Sequence, residues 1–191
     1  MSEWDFGLSV ALGIGLAAAT GLRLFLPMLI VSAASYTGHL PLSDNFAWLA
    51  TAPALILLGV AAIVEVLAYY LPGVDNLLDV IATPAAFVAG TLVAAAVITD
   101  LPPMVKWAAA IIAGGGIAGV TQSVTTLVRA KSTVMTGTLG NPVVATTELG
   151  GSLLVSLLAL AAPLLTATLI VVLLWLAIRW LRNLSTRPRP S

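Results

Sequence analysis

The sequence predicts an all-α integral membrane protein of about six transmembrane helices, arranged as two inverted three-helix repeats with broken helices. Three observations carry this. First, 60% of the 191 residues are hydrophobic and only 8% are charged, where soluble domains carry roughly 25%. Mean hydropathy is +1.08. A soluble domain must show much of its chain to water and cannot hide this much apolar surface. Second, apolar stretches alternate with short breaks of Pro, Gly, Thr, Asn and Asp, and each is long enough for a span of about 20 residues. Third, two motifs recur in the same order. Gly13-Ile14-Gly15-Leu16-Ala17-Ala18-Ala19-Thr20 matches Gly114-Gly115-Gly116-Ile117-Ala118-Gly119-Val120-Thr121. Thr37-Gly38-His39-Leu40-Pro41 matches Thr136-Gly137-Thr138-Leu139-Gly140-Asn141-Pro142. Three spans per half would invert the halves, covering residues 6–98 and 105–183. That arrangement is usual for transporters. A chain rich in Gly, Ala, Leu and Thr also produces such short matches by composition alone.

The elements follow in order. Residues 6–36 form the first apolar stretch, interrupted by Arg23 and Pro27. Its acidic start, Met-Ser-Glu-Trp-Asp, lacks the basic opening of a signal peptide, so it reads as a retained helix. A polar break at 37–45 contains His39, which reads as a loop residue. The second span covers about 46–71 and carries Glu65. Pro72 and Gly73 punctuate a turn. The third span covers about 77–98 and the fourth about 105–128. A polar run from Arg129 to Glu148 reads either as a re-entrant or broken-helix element or as a plain loop. The last stretch, 149–181, is one long tilted helix or two spans hinged at Pro163. Residues 184–191 form a short basic tail.

Basic residues near span ends mark the cytoplasmic side. Arg179, Arg182, Arg187 and Arg189 put the C-terminus there. Six spans also place Arg129 and Lys131 inside and leave only Lys106 outside, so both termini are expected in the cytoplasm.

The totals exclude several functions. Net charge is zero, which leaves no basic excess to attract nucleic acid. There is no cysteine, so disulfides and thiolate chemistry are excluded. One histidine cannot build a multi-His metal site. No cofactor is indicated.

The remaining charges are few. Glu65 lies deep in an apolar run, where a carboxylate costs about 2.5–3.5 kcal/mol on insertion scales. It must face the protein interior, and Arg23 is the matching cation. Such a pair lines a polar path or merely fixes helix register. Asp75 and Asp79 share a helix face and would bind a cation or relay a proton. Asp75 alone would cap a helix. Arg129, Lys131, Asn141 and Glu148 fall in the polar run, where the two cations would attract an anionic group such as a lipid phosphate. The glycines at 13, 15, 21, 114, 115, 116 and 119 read as packing positions.

Read together, several motifs resemble one family. They are Gly21-Leu22-Arg23-Leu24-Phe25-Leu26-Pro27, Glu65 with Tyr69-Tyr70, Pro72, Asp75 and Asp79, then Thr83-Pro84, and Asn141-Pro142 with Glu148. In this order they resemble the bacterial membrane family catalogued as domain of unknown function 4126. The resemblance implies a multi-pass protein of the bacterial cytoplasmic membrane and assigns no activity.

The expected function is a small transporter or channel whose pathway is lined by Arg23, Glu65, Asp75, Asp79, Arg129, Lys131, Asn141 and Glu148. Its partners would be membrane lipid and a small ion or anionic lipid, and a homodimer would suit so small a chain. Two alternatives remain open. One is a flippase or intramembrane enzyme acting on an anionic lipid, with carboxylates clustered at headgroup depth. The other is a non-catalytic scaffold, whose charges pair internally beyond reach of any cavity.

Overall fold

The computed structural model describes residues 3–71, 74–99, 101–136 and 139–185, with side chains except at 3–6, 75, 76, 177, 178 and 180–185. Among the described residues every regular element is helical. They are α1 (Glu3–Thr20), α2 (Phe25–Tyr36), a 3-10 segment (Asp44–Ala50), α3 (Ala52–Tyr69), α4 (Val74–Val97), α5 (Pro103–Ala109), a π segment (Ala110–Gly115), α6 (Gly116–Thr136), α7 (Asn141–Ala161) and α8 (Pro163–Ser185). The fifth helix, π segment and sixth helix run on as one rod, Pro103–Thr136, of 34 residues. Four segments are long and apolar enough to cross a membrane: Ala52–Tyr69, Leu77–Val97, Pro103–Thr136 and Asn141–Ala161.

Proline and threonine set the boundaries. Pro53, Pro103, Pro142 and Pro163 each stand at a helix start, where the missing N–H has no partner to lose. Thr51 caps α3 by accepting from the Ala54 N–H. The last apolar stretch divides at Pro163, as the hinge alternative expected. The polar run does not form a loop. Helix α6 continues to Thr136 and α7 begins at Asn141, so Arg129, Lys131 and Glu148 sit on helices. The Asn141 amide donates to Thr133 Oγ1 at 3.0 Å and ties the two helix ends together. This sets aside the plain loop and leaves the broken-helix reading, with the break between Thr136 and Asn141.

Contacts along the helices fix their directions. Gly13 lies against Ala94 and Ile98 near the C-terminal end of α4, and Gly21 lies against Ala118 and Thr121 on α6. Helix α1 therefore runs opposite to α4. Its continuation α2 then turns back. The Leu24 and Phe25 N–H groups meet Glu65, and Ser32 bonds the Leu49 carbonyl. After α2, the Ser43 N–H donates to the Ala96 carbonyl at 2.8 Å. Helices α1 and α2 thus form a hairpin that enters and leaves at the Ala96 end of the bundle, with Arg23 at its tip. This corrects the sequence reading, which counted residues 6–36 as one interrupted crossing. Six crossings, and the shared side of the termini that they imply, are not confirmed by this arrangement.

The recurrent motifs fare similarly. Gly13 and Gly114 both lie against Ala94, and Gly21 lies against Ala118. Residues 13–20 and 114–121 are therefore side by side and run the same way. Inverted halves would oppose them, so this pair of segments does not confirm the inverted repeat.

Small residues let the rod and α4 touch. A Cβ on Gly114 would stand 2.6 Å from the Gly90 carbonyl oxygen and 2.6 Å from Ala94 Cβ, which no real side chain tolerates. The π segment falls at this crossing, and its wider turn is a common feature of special sites in helices. The aliphatic core lies towards the Ala96 end, around Leu12, Leu16, Val31, Leu49 and Val93. Trp107 packs there with its ring centroid 6.3 Å from that of Phe46.

Candidate functional site

Towards the opposite, Thr136 end, the interior turns ionic. Arg23 and Arg129 are each 1% exposed and Glu148 is 5% exposed. Five parts of the chain bring them together. The α1–α2 break supplies Arg23, α3 supplies Glu65 and Tyr69, α4 supplies Asp79, and α6 and α7 supply Arg129 and Glu148. Arg129 and Glu148 lie seven residues inside their helix ends, about 10 Å of depth at 1.5 Å per residue.

Glu148 is the shared counter-ion. Its Oε2 bonds Arg129 Nη2 directly and lies 3.4 Å from Arg23 Nη2. Arg129 Nε lies 3.3 Å from Asp79 Oδ2. Arg23 Nη2 also donates to the Ala145 carbonyl at 2.7 Å. Tyr69 contacts both cations: Arg23 stands 4.3 Å and Arg129 4.4 Å from its ring centroid. Stacking on an aromatic face offsets part of the repulsion between guanidinium groups, with about 2 kcal/mol per contact when desolvated.

Glu65 does not pair with Arg23, and this corrects the central expectation. Its Oε1 accepts from the Leu24 N–H at 2.7 Å and its Oε2 from the Phe25 N–H at 3.0 Å. The carboxylate caps α2 at the hairpin tip. Leu24, the N-cap residue, offers no side-chain acceptor, and a buried helix end without partners is costly. Glu65 meets that need from another helix, and the positive end of the α2 dipole suits its charge.

The other expected residues divide. Asp79 joins the cluster through Arg129, and Asn141 lies nearby at the α6–α7 junction. Lys131 is exposed and lies outside the cluster. The side chain of Asp75 lies outside the described residues, as do the tail positions 186–191. No group of three or more His, Cys, Asp or Glu able to hold a metal occurs among the described residues. Asp79 faces a cation of the protein itself, so the expected cation site shared with Asp75 loses half its charge to Arg129.

Two residues were missed. Tyr69 sits four residues after Glu65, on the same helix face, which was its available signal. Lys106 was read as an outside marker, yet it is 7% exposed. Its Nζ donates to Ser43 Oγ at 3.3 Å. Ser43 Oγ bonds the Ala95 carbonyl, so Lys106 sits beside the negative C-terminal end of α4.

Two clefts flank the ionic cluster. One, of about 520 Å³, opens between α3 and α4 and reaches Glu65 and Tyr69. The other, of about 380 Å³, opens between α6 and α7 and reaches Glu148. Several buried polar atoms of the cluster make no hydrogen bond to any described residue: Arg23 Nε and Nη1, Arg129 Nη1 and Glu148 Oε1.

The sequence profile of the family described as domain of unknown function (DUF4126) matches residues 10–183. The chain belongs to the DUF4126 family. No curated protein and no solved structure matches it. The DUF4126 match runs from within α1 to the last turns of α8. It therefore covers the hairpin, the ionic cluster and both clefts.

Proposed function

We propose that this protein is a small membrane transporter whose pathway passes the Arg23–Tyr69–Arg129–Glu148 cluster. One observation carries the reading: buried charges with unsatisfied hydrogen-bonding atoms lie between two clefts that reach them from different sides. Fully paired structural charges need no cleft beside them. Intramembrane ionisable groups that meet a cavity mark substrate and ion paths. Broken helices at membrane depth are tolerated where they are buried in protein or line a cavity, and the hairpin tip at Arg23 supplies such a break.

The mechanism follows from the shared counter-ion. Glu148 holds both arginines through one oxygen, so any movement of α7 relative to α6 or α1 must release at least one of them. Release of Arg23 from Glu148 would loosen the hairpin tip from α7, leaving Glu65 and Tyr69 to hold it to α3. The two clefts would open in turn as Glu148 changes partner.

The test is flux in proteoliposomes, following ion and lipid movement for the wild type, Arg23→Ala and Glu148→Gln. Wild-type flux that both substitutions abolish is the expected result. Unchanged flux in both folded variants overturns the pathway. The direct Arg129–Glu148 bond favours a second reading, a scaffold in which the cluster is a clamp. That reading expects no wild-type flux and loss of folded protein in both variants.

A further inference from the structure

We infer that the cleft between α3 and α4 is a binding site for a lipophilic cation, with Glu65 as its counter-charge. The inference rests on the transporter reading and names its substrate class.

The cleft lining is almost wholly apolar. Leu57, Val60, Ala61 and Val64 line it from α3, and Ile81 and Ala85 from α4. Glu65 and Tyr69 form its polar end. Pockets of this kind take mostly apolar ligands oriented by a few placed polar groups. The cleft also opens where ligands dissolved in lipid would arrive. Leu57, Val60, Val64 and Ile81 are all exposed on the outer faces of membrane-length helices.

Charge selects the sign of the ligand. The buried cluster holds two cations, Arg23 and Arg129, and three carboxylates, Glu65, Asp79 and Glu148. Both arginines contact Glu148, and Arg129 also meets Asp79. Glu65 has no cationic side chain within ion-pair distance among the described residues; its partners are two backbone N–H groups. The N-terminus of α2 offsets about half a charge. The remainder is negative and lies at the end of an apolar cleft. An anion entering there would meet a carboxylate in a medium that screens poorly. A monovalent cation balances the formal excess of one carboxylate over the two arginines. Each Glu65 oxygen accepts one hydrogen bond and retains a lone pair for a ligand.

Tetraphenylphosphonium is a suitable probe, being apolar, monovalent and unable to donate hydrogen bonds. Its binding to the full chain in nanodiscs can be followed by equilibrium dialysis. Saturable binding is expected, and Glu65→Gln should weaken it at least about tenfold. Ala61→Phe puts a ring one turn from Glu65 without touching the cap, and should weaken binding to a similar extent. It decides the matter if Glu65→Gln does not fold. Absence of saturable wild-type binding overturns the inference, as does wild-type affinity in folded Ala61→Phe. The readout involves no transport. Binding that is lost in Ala61→Phe, in a protein without flux, would overturn the transporter reading alone. Flux of another solute without probe binding would overturn the cation site alone.

Discussion

Tyr69 is the residue on which the ionic cluster turns. Two buried guanidinium groups contact its ring, so its removal strips both of an aromatic contact and leaves a cavity. Tyr69→Ala should destabilise the protein by about 3–5 kcal/mol, as large aromatic truncations do. Tyr69→Phe keeps both faces and should stay close to wild type; thermal unfolding in detergent distinguishes the two. Glu148→Gln deprives both arginines of their common counter-charge, and breaking buried pairs costs about 3–5 kcal/mol. Replacing Arg129 by Met in the same chain should recover part of that loss, and a double-mutant cycle measures the coupling. At this scale the sequence was informative because a charge is costly in an apolar span. That argument singled out Glu65 and Arg23; the helix-face and polar-run readings added Asp79, Arg129 and Glu148, which lie with them, and Lys131, which does not. It could not assign partners. Pairing depends on which helix faces which, and Glu65 found backbone N–H groups more than 39 positions away, at the start of α2.

Among the elements, the crossing of α4 and the rod and the α1–α2 hairpin allow separate tests. Gly114→Leu should prevent the close approach at Gly90 and abolish folded protein, whereas Gly116→Ala, with nothing within 4 Å of its added carbon, should leave melting unchanged. Gly90 went unremarked in the sequence because a lone glycine in a helix carries no label for the surface it meets. The hairpin makes a topological prediction. Cysteines introduced at Glu3 and His39 in this cysteine-free chain should react with an impermeant maleimide from the same side of the membrane. Labelling from opposite sides would restore a crossing for residues 6–36. Hydropathy cannot see this difference, since an apolar stretch of that length with a central break reads alike whether it continues or folds back.

For the whole molecule, composition established the class: four membrane-length helices and no strand among the described residues. The membrane-facing surface, with Ile56, Ile63, Leu77, Val80 and Ile112 exposed, is what an apolar solvent permits. The polar core follows from the same cause, because a charge in such a chain has only other parts of the protein to turn to. The division of the interior into an aliphatic end and an ionic end was not legible. It arises from the directions of the helices, which local sequence does not encode.

The hairpin also constrains how the protein is made. Arg23 emerges early in synthesis, yet the Ala145 carbonyl that it meets is 122 positions later, and Glu148 later still. Until α7 exists, the tip has no counter-charge from the second half of the chain. The hairpin tip therefore cannot complete its contacts until α7 has been made. Ribosome-bound chains halted before Glu148 should leave residue 23 open to protease or alkylating reagent, and completion of α7 should close it.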